Sequence, residues 1–231
     1  MRRKYKHKPF PVTVYQRSAL DFLLPPEDIS VSQWAEEHRI LDIKSSAMPG
    51  HWRNSVTPYL SEIMDTMNDY EIEETIFVKP TQVGGTEVIL NRLGYLIAQD
   101  PGPTLIVYPT DTLGESTSDN RIQPMVKSSP AVKQHWNERI SSKLEMQFDN
   151  MYVSISGANS PASLASKPIR YLFLDEVDKF PVATRREADP ISLARERTKT
   201  FINRKIYMCS TPTLRTGHIW KAKESADIEK H

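Results

Sequence analysis

The chain has 231 residues, 39% of them apolar and 26% charged, which is the composition of an ordinary globular protein long enough to bury one sizeable core. No apolar run approaches the roughly 18 residues of a membrane span, and the basic start "MRRKYKHKPF" leads into no signal-peptide core, so the reading is a cytoplasmic protein without a membrane. One cysteine excludes an internal disulfide, and neither it nor the six scattered histidines make a metal-ligand cluster.

The net charge of +1 conceals an asymmetry. Residues 1–8 carry five Lys/Arg and no acid, which leaves 25 basic against 29 acidic side chains in the remainder. The body is therefore no general nucleic-acid sponge; attraction to phosphate backbones must come from local patches or from this tail, which is either a solvated terminus or a docking segment. Residues 1–55 read as a basic tail and helical arm, with one helical pattern, "SVSQWAEEHRIL", between Pro25-Pro26 and the Pro49-Gly50 turn.

From residue 56 the order becomes regular. Thr57-Pro58 reads as an N-cap followed by proline in the first turn, with Leu60, Ile63, Met64 and Met67 at helical spacing. A strand "ETIFVK" (74–79), the glycine-containing turn "KPTQVGGTE" and a helix over Thr86–Ile97 follow. "TLIVYP" (104–109) is a buried strand, a helix is expected from about Leu113 to Val126, and "KLEMQFDNMYVSIS" alternates around Asp149-Asn150 as a hairpin would. "IRYLFLDE" (169–176) and "KIYMCST" (205–211) are two more strands. Apolar strands alternating with helices predict an α/β fold with a mainly parallel sheet and helices on both faces. Ligands bind at the carboxyl ends of such strands, here Lys79 and its loop, Asp175-Glu176, and Ser210-Thr211.

The usual phosphate-binding loop, GxxxxGK[ST], wraps backbone N–H groups round phosphate, sets a lysine on it and gives a hydroxyl to Mg²⁺. Aligned on its end, the stretch 79–86 has Gly84 at the second glycine, Gly85 at the lysine and Thr86 at the hydroxyl, while Lys79 stands at the start. Such a loop curls until its ends approach, so a lysine entering from the strand can supply the same charge; a degenerate loop and a chance turn are the other readings. Asp175 and Glu176 arrive on one buried strand, where one carboxylate can hold a metal shell and the next can orient or deprotonate a water. Strand alternation sends adjacent side chains to opposite faces, which suits them to different tasks. Hydroxyls in "CSTPT" (209–213) can sense a γ phosphate.

The ordered set "SQWAEEHRIL", "PGHWRNSVTPYLSEIMD", "KPTQVGGTE", "DPGPTLIVYPT", "NRIQPMVKSSP", "GANSPASL", "PIRYLFLDEVDKFP", "ADPISLARERTKTF" and "CSTPT" resembles the large terminase subunit of tailed phages, in the lambda gpA-like group, from about Ser30 to Thr216. The resemblance implies a P-loop NTPase of the RecA-like (ASCE) kind, in which a lysine at the beginning of the loop is usual. It implies an ATP- and Mg²⁺-dependent motor that moves double-stranded DNA into a procapsid. The expected partners are a small terminase subunit, the portal and further copies in a ring, in the host cell cytoplasm.

By the same resemblance Lys79 and the loop residues Thr81, Gln82, Val83, Gly84, Gly85, Thr86 and Glu87 bind nucleotide, and Thr86 and Asp175 hold Mg²⁺. Glu176 is the catalytic base, with Asp175 and Lys79 beside it, and Ser210-Thr211-Pro212 is the coupling motif. Three positions depart from the family pattern. Leu60 replaces the upstream adenine-site glutamine, so adenine would stack on Trp52 or Tyr59. The stretch before the strand that ends in Asp175-Glu176, "SLASK", offers Ala165 and only Lys167 where an arginine finger often stands, leaving Arg121, slightly favoured, and Arg170. Nothing after Thr213 supplies the family's nuclease acids, so the expectation is the ATPase portion of a longer protein. A helicase-like ATPase, which would need a second RecA-like domain, and a non-catalytic DNA- or capsid-binding domain are the alternatives.

Overall fold

A computed structural model describes residues 28–44, 46–164, 167–182 and 189–226. The basic tail and Ala165 lie outside these residues. Six strands form one sheet: β3 (Glu74–Val78), β4 (Thr104–Tyr108), β5 (Glu145–Gln147), β6 (Tyr152–Gly157), β7 (Tyr171–Asp175) and β8 (Lys205–Ser210), in the order β3-β8-β7-β4-β6-β5. All neighbours are parallel except β5, which pairs antiparallel with β6 as the second arm of the expected hairpin.

Strand alternation builds two cores. Ile106, Phe173, Tyr207 and Cys209 face one layer of helices, while Leu105, Val107, Leu172, Leu174, Ile206 and Met208 face the other. The central strands β4 and β7 are buried along their whole length, as continuous apolar runs require. The first layer contains α1 (Val31–His38), α2 (Tyr59–Asp65) and α3 (Gly85–Ala98); the second contains α8 (Pro190–Glu196) and α9 (His218–Ser225).

Helix α1 is started by a reciprocal capping box between Ser30 and Gln33. Its Trp34 is fully buried in the first core, so the helical part of the arm shares the core of the sheet. A small hairpin, β1 (Ile40–Leu41) with β2 (Gly50–His51), links it to α2. The cap of α2 differs from expectation: Pro58 itself is the N-cap, and the Thr57 hydroxyl makes no capping bond. The helix expected over 113–126 is α4 (Asp111–Thr117) and α5 (Gln123–Ser128), joined by a π-helical turn at Ser118–Ile122. Between α5 and β5 lies the short α6 (Pro130–Lys133), and α7 (Pro161–Leu164) follows β6.

The register sets the site. Val78 lies opposite Ser210, and Asp175 opposite Cys209, so β3, β8 and β7 end at one level with β8 between the other two.

Candidate nucleotide site

The loop from Lys79 turns into α3 through two left-handed residues, Gln82 (φ 59°) and Gly84 (φ 86°). Glycine accepts that conformation freely, whereas Gln82 holds it at a cost on the order of 1–3 kcal/mol, the kind of local strain found at ligand clamps. Thr81 and Gln82 are exposed and Val83 is half-buried. The α3 N-terminus that follows directs free N–H groups and a partial positive charge at the space above it, a ready anion site.

Lys79 is only 5% exposed, and its side chain runs across the start of α3. A Cβ added to Gly85 would sit 2.4 Å from Lys79 Cε and 2.6 Å from Cδ. The missing side chain at Gly85 is therefore the channel through which the Lys79 stem passes, and the ammonium group reaches Glu176 Oε1 at 2.8 Å. Leu60, expected at the adenine side of the site, is buried under Gly84; a Cβ on Gly84 would lie 2.7 Å from Leu60 Cδ1.

Asp175 is buried at the end of β7 and accepts hydrogen bonds from Thr86 Oγ1 at 2.9 Å and Cys209 Sγ at 3.1 Å. Burial pushes its carboxyl above the ordinary carboxylate value, against the lowering effect of those two donors. The strand stops there. Glu176 takes a left-handed backbone (φ 58°, ψ 45°), which removes it from strand alternation. The opposite-face expectation for the two acids is thus corrected: the turn at Glu176 brings its carboxylate back to Lys79, while Asp175 meets the same loop at Thr86. Glu176 also pairs with Lys179 at 3.2 Å. Partial burial acts to raise its pKa, but the hydrogen bond and charge of Lys79, helped by Lys179, hold it below the usual glutamate value. Lys79 is correspondingly held protonated: its hydrogen bond to Glu176 and neighbouring negative charge outweigh desolvation.

The end of β8 ties both elements together. The Ser210 carbonyl accepts from Lys79 N at 3.1 Å, and the Cys209 carbonyl from Glu176 N at 2.9 Å. The Ser210 hydroxyl accepts from Asp178 N at 3.2 Å. The Thr211 hydroxyl is buried beside this edge with no hydrogen-bond partner among the described residues, an orphan of the kind that a phosphate oxygen or bound water satisfies. Pro212 follows without a strand partner.

The remaining candidates separate by position. Glu87, in the first turn of α3, is gripped by Arg121 on one oxygen and by Arg39 on the other at 3.3 Å. Arg121 projects from the π-helical turn, which re-aims side chains relative to a regular helix. Arg170 stands at the opposite end of β7 from Asp175, in a two-pronged pair with Asp100 at 2.8 and 2.9 Å, its guanidinium over the Tyr171 ring. The structure therefore does not bring Arg170 to the loop, because it precedes the strand that Asp175 ends. Lys167 is likewise engaged, by Glu145 and the face of Tyr152. Tyr59 is half exposed and its hydroxyl donates to the Val83 carbonyl at 3.3 Å. Trp52 is buried, its indole N–H on Asn54 Oδ1 at 2.7 Å, and lines a cavity of about 250 Å³ with Leu41, Met48, His51 and Val56.

Residues 46–231 match the family model of the phage terminase large subunit gpA, ATPase domain. The chain belongs to this terminase ATPase-domain family. It is 25% identical over 214 residues to the terminase large subunit of Enterobacteria phage P21, covering 90% of this chain and 32% of that protein. It thus spans about a third of the length of that curated relative. Among solved structures, the HK97 bacteriophage large terminase superposes with a TM-score of 0.67 at 15% identity, over 86% of this chain and 41% of that one. The Thermus phage P74-26 large terminase ATPase domain, as a point mutant, gives 0.53 at 16% identity, over 86% and 74%. These likenesses support the fold.

In this terminase domain the donors fit Mg²⁺. A threonine hydroxyl and a carboxylate are hard oxygen ligands, already 2.9 Å apart, and Mg²⁺ characteristically takes one or two such protein oxygens and completes its shell with phosphates and water. Among the described residues no group of three or more His, Cys, Asp or Glu forms an all-protein cage. Three neighbours of the site were not singled out from the sequence. Arg39 directly follows a helix of mixed polarity and looks like a surface residue, Cys209 looks like strand filler, and Asp178 looks like one more acid in "LDEVDKF". Only Asp178 carried a signal, a third acid within one turn of the pair.

Proposed function

We propose that this domain hydrolyses ATP and uses the energy to drive double-stranded DNA into a procapsid. The observation that carries this reading is the path of Lys79 across Gly85 to Glu176, which sets a cation at the place a P-loop lysine serves although the sequence has glycine there. The Lys79 to Glu87 loop and the α3 N-terminus cradle the phosphates, and Tyr59 and Trp52 flank the adenine. Thr86 and Asp175 would hold Mg²⁺, which when bound would supply positive charge against the charge that develops on the phosphate.

Glu176 orients the attacking water and accepts its proton. With phosphate absent its carboxylate is neutralised by Lys79 and Lys179. Phosphate competes for the Lys79 ammonium, and the loss of that partner makes Glu176 a stronger base when a substrate is present. Thr211 and Ser210 face the same edge and report the γ phosphate, with Pro212 stiffening the exit of the chain. Arg121, partly exposed and held by Glu87 alone among the described residues, supplies the finger charge to the site of the next copy in a ring, which adds orders of magnitude to phosphoryl-transfer rates. The isolated domain should then be a slow ATPase. The small terminase subunit and the portal are the protein partners, in the host cytoplasm. No described helix is long and apolar enough to cross a membrane.

The test is binding of an ATP analogue with Mg²⁺ to wild type and Lys79→Ala, and turnover by Glu176→Ala in the DNA-stimulated assembly. Lys79→Ala should lose binding, and Glu176→Ala should keep binding and lose turnover by about 10²–10⁴-fold. Equal binding by wild type and Lys79→Ala would sink the role given to Lys79.

A further inference from the structure

One carboxylate beside the site has no part in the chemistry above yet makes three long-range hydrogen bonds. Asp178 lies two residues after Glu176, in the helical turn Val177–Lys179 that ends the acidic motif. Its Oδ2 accepts from Thr213 N at 2.8 Å and from the Thr213 hydroxyl at 3.1 Å, and its Oδ1 accepts from Ile219 N at 2.8 Å. Its own N–H donates to the Ser210 hydroxyl. The loop closes round the carboxylate: a Cβ on Gly217 would come within 2.5 Å of Asp178 Oδ2.

The arrangement does two things. Helix α9 has Gly217 as its N-cap, with no side-chain capping bond of its own, so its first-turn N–H is satisfied by an acid 41 residues upstream. The segment between the coupling motif and α9 is fastened at both of its ends, Thr213 and Ile219, to the turn that carries Glu176. Displacement of Glu176 from its left-handed conformation moves Asp178 two residues away, and with it the start of α9. Ile219 and Ala222 of α9 pack in the second core, on the side of the sheet away from α3.

We infer that Asp178 is the positioning residue that transmits nucleotide state from the Glu176 turn to α9 and the chain leaving it; this deepens the nucleotide-site reading and rests on it. Asp178 touches no reacting atom. Its carboxylate converts a rearrangement at Glu176, which is small and local, into a shift of a helix on the opposite layer, because three donors from one loop converge on two oxygens and cannot follow separately.

Asp178→Asn tests this with little change of volume: the amide keeps one acceptor and replaces the other by a donor, so Thr213 and Ile219 can no longer both be held. Gly217→Ala breaks the same contact from the other side and leaves the acid in place. Hydrogen exchange of residues 213–222 is measured on the whole chain with and without a non-hydrolysable ATP analogue and Mg²⁺, alongside analogue binding. In wild type the analogue should change exchange in this segment by about fivefold or more. Both variants should bind the analogue within about threefold of wild type and lose that response. A variant that exchanges faster overall but keeps the full analogue-dependent ratio makes Asp178 a local cap only, and overturns the inference. So does a wild-type segment indifferent to analogue that demonstrably binds. Analogue that does not bind wild type at all, or binds Lys79→Ala equally, overturns the nucleotide reading first, and is told apart by the binding measurement alone.

Discussion

Two buried cations stand on neighbouring elements of this domain and do different work. Lys79, at the end of β3, is 5% exposed and faces carboxylates: Glu176 at 2.8 Å, with Asp175 nearby. Arg92, in the middle of α3, is 2% exposed and has no carboxylate partner among the described residues; it donates to the carbonyls of Ile63 and Met64 and to the Thr66 hydroxyl, and lies 4.7 Å from the centre of the Tyr207 ring. Those carbonyls belong to the last turn of α2, where the Thr66 hydroxyl also donates to the Ile63 carbonyl at 2.9 Å and Met67 N to the Met64 carbonyl at 3.3 Å, so Arg92 adds a second donor to each. Arg92 is thus a distant C-cap whose charge also favours the negative end of that helix. Desolvation lowers its pKa to about 10, still well above neutrality. The charge of Lys79 is balanced by a group that can leave it, and the charge of Arg92 by backbone that cannot. A buried cation held by a partly exposed carboxylate is available to a ligand; one held by helix carbonyls is a fastening.

That contrast is most sharply broken by Lys79→Ala. Analogue affinity should fall by at least about 100-fold, roughly 2.7 kcal/mol, while the melting temperature changes little, since Glu176 is partly exposed and can rehydrate. The mirror case is Arg92→Met. It should cost about 2–3 kcal/mol of stability, read by denaturant titration, because two helix carbonyls and the Thr66 hydroxyl each lose a charged donor, with analogue affinity unchanged in the folded protein. If Arg92→Met weakens analogue binding without loss of stability, the division between ligand cation and fastening is wrong.

Gly85→Ala sharpens the comparison further, because its two effects have opposite signs. Alanine is worth up to about 1 kcal/mol over glycine in a helix, so stability should hold or rise. The added methyl takes the space of Lys79 Cε, so the stem must swing out and analogue binding should weaken by about tenfold, about 1.4 kcal/mol. Binding by Gly85→Ala equal to wild type would mean that Lys79 reaches phosphate by another route.

Much of this architecture was readable from residues in a row. Continuous apolar runs give β4 and β7, helical spacing gives α3, and the order of loop, acids and hydroxyls gives the three strand ends that meet. What was not readable depends on contacts far apart in the chain. The insertion of β8 between β3 and β7 joins Val78 to Ser210, and no local pattern encodes it. The left-handed turn at Glu176 is a departure from strand geometry that a non-glycine residue gives no hint of, and it decides that both acids serve one loop. The same holds for the relation of Gly85 to Lys79. A glycine reads as a missing lysine until the stem of another residue is seen to occupy its place.

The smallest expected effect concerns a third cation, Arg170, which the sequence offered as a finger candidate. It grips Asp100 with two nitrogens and covers Tyr171, whose hydroxyl also donates to Asp100 at 2.6 Å, at the end of β7 remote from the loop. The pair is partly open to water, so screening and side-chain entropy limit its worth, and Arg170→Ala should cost about 1 kcal/mol or less. DNA-stimulated turnover in the assembly should be unchanged, whereas Arg121→Ala should lower it by about 10³-fold, the scale of a charge supplied to a neighbouring phosphoryl group. Equal loss of turnover in both variants would move the ring contact to the Arg170 end of the sheet. It would also place Arg170 beside Lys79, among the cations whose partners can be exchanged.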